Sequence, residues 1–144
     1  MVNIDLKHKN IFLDTAPLIY FIEGNSQYQE KLEQIFKSND NGDFAFIASS
    51  ITLLEVLVKP LKEGRNELAK KYINILTGAK GIEVFEITND IAIKAAELRA
   101  KYNLKTPDAI QLATAIECNA DYFLTNDLRL KLVTEVKCIV LTEL

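Results

Sequence analysis

Residues 10–22 read NIFLDTAPLIYFI and set the pattern for the rest of the chain. Asn10–Leu13 is a short apolar run that predicts a strand, and Ala16–Ile22 predicts a helix. Asp14 lies between them, where the strand ends. The same order, an apolar strand followed closely by a helix, recurs several times along the sequence. Because strands separated by helices pair in parallel, this order favours an α/β fold.

The remaining sequence alternates in the same way and shows no internal repeat or linker. The predicted strands are Asn10–Leu13, Asp43–Ala48, Ile82–Ile87, Tyr122–Thr125 and Val136–Leu141. The predicted helices are Ala16–Ile22, Gln27–Ser38, Thr52–Lys62, Asn66–Leu76, Asp90–Tyr102 and Pro107–Cys118, with a short helical turn at Leu128–Leu132. We expect a kink or an end near Pro60 in the third helix. The pattern predicts a three-layer α/β/α sandwich with a mostly parallel central sheet.

Composition and charge narrow the class of protein. A chain of 144 residues, 49% of them hydrophobic, predicts one globular domain over residues 1–144. No apolar run has the length of a transmembrane helix, and the N-terminus lacks the apolar stretch of a signal peptide, so we expect a cytoplasmic protein. The net charge of −3 argues against nucleic-acid binding through overall charge. One histidine and two distant cysteines argue against zinc, so a bound metal would have oxygen ligands.

Four acids follow or lie near the ends of predicted strands: Asp14, Glu55, Asp108 and Asp127. The carboxyl ends of parallel strands meet at one edge of the sheet, where ligands bind in such folds. We therefore expect the four carboxylates to converge although they are far apart in sequence. Clustered carboxylates repel one another, and a hard cation relieves that repulsion. The pattern predicts a site for Mg²⁺ or Mn²⁺.

Helix capping is a competing explanation for two of these acids. Thr52 and Glu55 have the spacing of a capping box, in which Glu55 would reach back to the start of its helix. Thr106 and Pro107 predict a helix start with Thr106 as the N-cap, and Asp108 would then favour the helix dipole. Against capping alone, apolar residues flank both acids, which predicts that their carboxylates are not freely solvated.

The other two acids also have capping explanations. Asp14 and Asp127 can each cap the helical segment that follows. Asp90 lies after another predicted strand, and we interpret it as a cap rather than a fifth member of the group. All four acids nevertheless lie on the same side of the strand-to-helix transitions, whereas surface caps would be expected at either edge. That shared edge favours the metal interpretation.

Four segments of the chain together resemble the PIN-domain ribonucleases. They are Phe12–Thr15, the helix that carries Glu55, Leu104–Ala115 and Ala120–Asp127. The resemblance covers essentially the whole chain, in order. The small size is similar to that of the VapC-type toxins of bacterial and archaeal toxin–antitoxin pairs.

The resemblance implies a parallel-sheet α/β/α fold and metal-dependent endonucleolytic cleavage of RNA. It implies that Asp14, Glu55, Asp108 and Asp127 bind Mg²⁺ or Mn²⁺ and carry catalysis, while Thr15, Thr125 and Asn126 shape the site. It also implies a homodimer and a small antitoxin partner that inserts near the acidic groove.

Other functions stay open at this point. The chain could be a PIN-like RNA-processing nuclease outside any toxin pair, or a non-catalytic protein-binding module. A phosphotransfer or receiver-like domain also places acids at strand ends. However, a haloacid-dehalogenase-like site needs an aspartate two residues after Asp14, where Ala16 stands. Residues 78–81, GAKG, do not supply a P-loop.

Overall fold

The computed structural model describes residues 4–144, which alternate between strands and helices as predicted. The strands are β1 (Asn10–Leu13), β2 (Ala45–Ser49), β3 (Ile82–Phe85), β4 (Tyr122–Thr125) and β5 (Lys137–Val140). The α-helices are α1 (Thr15–Glu23), α2 (Gln29–Asp40), α3 (Ser50–Lys62), α4 (Asn66–Gly78), α5 (Asn89–Tyr102) and α6 (Thr106–Glu117). A 3-10 helix at Leu128–Leu132, called here the 128–132 helix, joins β4 to β5, and another covers Leu141–Glu143.

The five strands form one sheet in the order β3-β2-β1-β4-β5, and every neighbouring pair is parallel. The chain runs outward from β1 through β2 to β3, then returns to the other side of β1 for β4 and β5. The order therefore reverses between β1 and β4. In open parallel sheets a crevice forms outside the carboxyl ends of the strands at such a switch point, and ligands bind there.

Both faces of the sheet are covered, which confirms the predicted three-layer α/β/α architecture. Alternate residues of β1 point to opposite faces, so Ile11 and Leu13 join one buried cluster and Phe12 joins the other. Phe12 stacks on Phe123 of β4 with ring centroids 5.0 Å apart. Strands buried on both faces need nearly continuous apolar sequence, and this requirement explains the short apolar runs from which the strands were predicted.

The start of α3 corrects the predicted capping box. The helix begins at Ser50, two residues before the predicted start at Thr52, and its cap is Ser49 at the end of β2. The Ser49 hydroxyl accepts a hydrogen bond from the N–H of Ile51 at 3.1 Å. Thr52 is the partner of Ser49 in the observed capping box, so Glu55 lies farther along the helix and takes no part in capping.

The α-helices other than α3 differ from the prediction by one or two residues at one or both ends, whereas α3 ends at Lys62 as predicted. Lys105, not Thr106, is the N-cap of α6. Pro107 is the second residue of the helix, where a missing backbone N–H removes no intrahelical hydrogen bond. Pro60 does not end α3, which continues to Lys62. Pro60 is buried, so packing retains it inside the helix.

Three predicted strands are shorter in the structure: β2, β3 and β5, the last of which covers Lys137–Val140 rather than residues 136–141. Residues 43–44 precede β2 rather than belonging to it, because the N–H of Asp43 bonds to the carbonyl of Ser38 in a turn. The last paired residue of β3 is Phe85, opposite Ser49. Pairing ends there, before the predicted end at Ile87, because the chain leaves the sheet after Ser49 and begins α3 at Ser50. Over residues 4–144, none of the helices combines the length and hydropathy needed to cross a membrane.

Candidate metal centre

Asp14 lies at the carboxyl end of β1 and caps α1, as its capping explanation predicts. One carboxylate oxygen accepts a hydrogen bond from the N–H of Thr15 at 2.8 Å. The other accepts from the Thr125 hydroxyl at 2.8 Å. The N–H of Asp14 also donates to the carbonyl of Leu124 at 2.9 Å. Asp14 is therefore held against β4, on the far side of the switch point.

The surroundings of Asp14 disfavour its charged form. Burial of the carboxyl among protein atoms is the largest effect and raises its pKa to about 6. Hydrogen bonds from Thr125 and Thr15 act in the opposite direction, while the negative charges of Asp108 and Glu55 add to the increase. Asp14 consequently carries charge at neutral pH only at a free-energy cost, which a bound cation would offset.

Glu55 reaches the same region from the middle of α3. Its carboxylate accepts a hydrogen bond from the Thr15 hydroxyl at 2.8 Å, which links α3 to the start of α1. The apolar neighbours of Glu55 predict a poorly solvated carboxylate, but that prediction is wrong because Glu55 is exposed. Leu54 and Val58 are themselves 60% and 55% exposed, so they do not shield it.

Asp108 lies in the first turn of α6 and is half-buried. Burial raises the pKa of this carboxyl, and the negative charge of Asp127 raises it further. The positive charges of Arg129 and Lys105 act in the opposite direction. Asp108 therefore lies in a mixed field, with an acid and two cations near it.

Asp127 follows β4 and caps the 128–132 helix, again as predicted. Its Oδ1 accepts hydrogen bonds from the backbone N–H and the Nε of Arg129, both at 3.0 Å, and its Oδ2 accepts from Nη2 at 2.7 Å. These contacts lower the pKa of Asp127. The N–H of Asp127 donates to the Thr125 hydroxyl at 3.0 Å, and that hydroxyl donates to Asp14. Thr125 thus connects the two acids.

One cavity of about 440 Å³ at the switch point gathers these side chains and is called here the acidic cavity. It is lined by all seven residues singled out from the sequence and by three more, Ala16, Ile19 and Tyr20. The side-chain amide of Asn126 donates a hydrogen bond to the Tyr20 hydroxyl at 3.1 Å, which links two residues of the cavity lining. Asp90 does not line this cavity. Asp90 is exposed in the first turn of α5. The sequence predicts Asp90 as a cap, but the N-cap of this helix is Thr88.

The sequence predicts that the four acids converge on one point; in the structure they line one cavity but are not arranged around a single ion. In residues 4–144 no group of three or more acidic, histidine or cysteine side chains is arranged to hold a metal ion. Three of the carboxylates are bound to protein partners: Asp14 to Thr15 and Thr125, Asp127 to Arg129, and Glu55 to Thr15. The donor chemistry still fits a hard divalent cation, because carboxylate oxygens line the cavity and Asp14 is charged there at a cost.

Gln111 is a supporting residue that the sequence reasoning did not single out. It is 2% exposed on α6 among apolar residues. Its amide nitrogen donates to the Thr52 hydroxyl at 2.9 Å and lies 3.5 Å from the Thr15 hydroxyl, while its oxygen accepts from Ser49. This buried network joins α6, the start of α3 and Thr15. A glutamine within the apolar run of α6 was the available signal.

Comparison with known proteins gives a family and a set of similar folds. The family model of the PIN domain matches residues 11–136. No curated protein matches the chain.

Solved structures of toxin–antitoxin complexes have similar folds. A chain of VapBC2 from Rickettsia felis, bound to a DNA fragment from its promoter, is 18% identical with a TM-score of 0.74, over 91% of this chain and 98% of that one. A chain of a toxin–antitoxin complex from Klebsiella pneumoniae is 24% identical with a TM-score of 0.69, over 93% and 99%. VapC20 of Mycobacterium tuberculosis, a toxin that cleaves the sarcin–ricin loop, is 16% identical with a TM-score of 0.65, over 78% and 86%. The family match spans most of the chain, and the chain therefore belongs to the PIN-domain family.

Proposed function

We propose that the protein is a metal-dependent endoribonuclease that hydrolyses RNA phosphodiesters, and that it is the toxin of a toxin–antitoxin pair. One observation carries this proposal. The acidic cavity at the switch point is lined by all four acids and by Thr15, Thr125 and Asn126. Membership of the PIN-domain family and the fold shared with toxin–antitoxin proteins support a nuclease and a toxin.

In this proposal Asp14, Asp108 and Asp127 hold one or two Mg²⁺ or Mn²⁺ ions, and Glu55 contributes directly or through water. When bound, such an ion supplies an activated water and stabilises the departing oxygen of the phosphodiester. The protein's own groups prepare the carboxylates for this task. Thr125 and the N–H of Thr15 hold the two oxygens of Asp14 in place. Asp127 must share its carboxylate with Arg129, which now contacts both oxygens.

The partners belong to the same proposal. We propose a small antitoxin partner and a homodimer, supported by the family resemblance and, for the antitoxin, by the toxin–antitoxin complexes among the similar structures. Co-purification with the product of an adjacent small reading frame tests the antitoxin. Light scattering tests the dimer, and a monomer mass at micromolar concentration would contradict it.

The experiment that tests the enzymatic proposal is cleavage of a structured RNA in Mg²⁺ and in EDTA, with Asp14→Asn and Asp90→Asn proteins beside the wild type. We expect cleavage by the wild type in Mg²⁺ only. Asp14→Asn should lower the rate by about a thousandfold or more, because several kcal/mol of charge stabilisation depends on the ion.

Asp90→Asn is the matched control for that substitution. It makes the same chemical change in the first turn of a helix, outside the acidic cavity, and should cleave like the wild type. Full activity in EDTA, or metal-dependent activity that survives in folded Asp14→Asn protein, would contradict the proposal.

A further inference from the structure

A second cavity, called here the lateral cavity, adjoins the acidic cavity. It has a volume of about 220 Å³ and lies between the α5–α6 turn and the 128–132 helix. Its lining includes Tyr102, Leu104, Lys105, Asp108, Arg129 and Leu132. Asp108 lines both cavities, so a ligand that passes over Asp108 can extend from one into the other.

The lateral cavity brings positive charge to one side of the acidic cavity. Lys105 and Arg129 both line the lateral cavity, and the Arg129 guanidinium contacts both oxygens of Asp127. By contrast, the described residues that line the acidic cavity include no lysine or arginine. Positive charge therefore lies on one side of the candidate metal centre, in the lining of the lateral cavity, and an anionic chain is favoured there.

Lys105 has no structural task that would explain its position. It is exposed, and within the described range 4–144 it forms no ion pair. As the N-cap of α6 it makes no side-chain capping hydrogen bond. A positive charge at the N-terminus of a helix also opposes the helix dipole, so the helix gains nothing from Lys105. Such local conflicts between sequence and structure are expected at functional sites.

The other wall of the lateral cavity is apolar. Leu132 is 64% exposed, and Leu104 and the ring of Tyr102 are half-buried beside it. Grooves that bind single-stranded nucleic acid combine cations along the backbone with apolar or aromatic surface for the bases. A cation pair facing an apolar wall matches the two parts of a nucleotide, its phosphate and its base.

We infer that the lateral cavity binds the nucleotide next to the scissile phosphate, with its phosphate on Lys105 and Arg129 and its base against Leu104 and Leu132. The inference rests on the proposed function and adds the direction in which the RNA leaves the acidic cavity. Lys105 is the better residue for a test, because replacing Arg129 would also release Asp127.

The test is the binding of a fluorescent single-stranded oligouridylate, measured by anisotropy in EDTA across a salt series. Without added metal no cleavage occurs, so the readout does not depend on activity. Lys105→Ala should weaken binding roughly threefold to tenfold, the size expected for one exposed charge contact. It should also reduce the slope of log affinity against log salt by about 0.7, as expected for one lost phosphate contact on a single strand.

Lys80→Ala is the control. It removes the same charge from a cavity that includes Asn10 and Ala45, at the amino ends of β1 and β2, and should bind RNA like the wild type. Equal RNA binding by wild type and Lys105→Ala, including no detectable binding by either, would overturn the inference. If a labelled deca-glutamate peptide binds in a Lys105-dependent way while RNA does not, the cavity receives an acidic protein segment and the inference is wrong.

Cleavage kinetics in Mg²⁺ separate this inference from the proposed function. Lys105→Ala should raise KM threefold to tenfold and leave kcat within about twofold of the wild type, because Lys105 would hold the flanking phosphate and not the reacting one. With substrates that keep the scissile phosphodiester but lack the flanking phosphate on the α6 side, the difference should vanish. An unchanged KM on long RNA would contradict the lateral cavity alone, whereas an inactive wild type would contradict the nuclease proposal.

Discussion

The two walls of the acidic cavity shift the pKa values of their aspartates in opposite directions. On the β1–α1 wall, Asp14 is held by neutral donors, and burial raises its pKa to about 6. On the β4 wall, Asp127 is held by Arg129, which lowers its pKa. The charge of Asp14 is therefore unfavourable, and a bound cation would offset its cost, whereas Asp127 already has a cationic partner in Arg129. The difference suggests that ion binding is driven by Asp14 and limited by the Arg129–Asp127 pair.

The largest expected effect is an opposite change in stability when each aspartate is replaced by asparagine. The folded state retains a proton on Asp14 between its ordinary pKa of 3.8 and about 6, whereas the unfolded state has lost it, so wild-type stability falls as pH rises through this window. Asp14→Asn should therefore raise the free energy of unfolding of the metal-free protein at pH 7 by up to about 3 kcal/mol. Asp127→Asn should lower it by up to about 1 kcal/mol, since the partly exposed ion pair with Arg129 is lost while asparagine still caps the helix.

Urea unfolding at pH 4 and pH 7 in EDTA measures both changes. The Asp14→Asn gain should be present at pH 7 and nearly absent at pH 4. A loss of stability at pH 7 in this variant, or the same pH dependence as the wild type, would remove the proposed contrast between the walls.

A smaller effect, on the pKa of Asp14, is expected when the Thr125 hydroxyl between the two walls is removed. Thr125→Val removes the hydrogen bond that lowers the pKa of Asp14 and should raise that pKa by about one unit, or 1.4 kcal/mol. Carboxyl-carbon NMR titration without metal measures it directly. Thr125→Ser keeps the donor and should titrate like the wild type. An unchanged pKa in Thr125→Val would show that Thr125 does not tune Asp14.

The smallest effect is a change in Mn²⁺ affinity, expected from Arg129→Gln. Without the guanidinium the pKa of Asp127 rises towards its ordinary value and its two oxygens lose their protein partner. Mn²⁺ binding at pH 7, measured by calorimetry, should tighten by about twofold to fivefold, in line with the modest energy of an exposed ion pair. Weaker Mn²⁺ binding would instead make Arg129 a supporting residue for the metal centre.

The order of strands and helices was predictable because each strand is a short apolar run buried on both faces. The position of Asp14 followed from the same pattern, since a residue directly after β1 must lie at the carboxyl edge. The role of Glu55 was harder to read. Ser49, inside the predicted loop, caps α3 and leaves Glu55 free to contact Thr15, and local spacing did not distinguish Ser49 from Thr52.

Contacts between distant residues were not readable from the sequence. The Arg129 side chain turns back two residues to Asp127, and this pair helps explain why the four acids share a cavity without meeting. Lys105 joins that charge pattern only once α6 and the 128–132 helix are placed side by side. Periodicity predicts which face a residue occupies, but not which carboxylate a long cationic side chain reaches.

Anomalous diffraction from a crystal of the protein soaked in Mn²⁺ tests the central claim most directly. The account predicts a Mn²⁺ peak inside the acidic cavity, in contact with Asp14 and with Asp108 or Asp127, and a guanidinium of Arg129 that has moved away from Asp127. A cavity without Mn²⁺ at saturating concentration, or Mn²⁺ bound only at acids outside it, would contradict the assignment of these carboxylates to a metal centre.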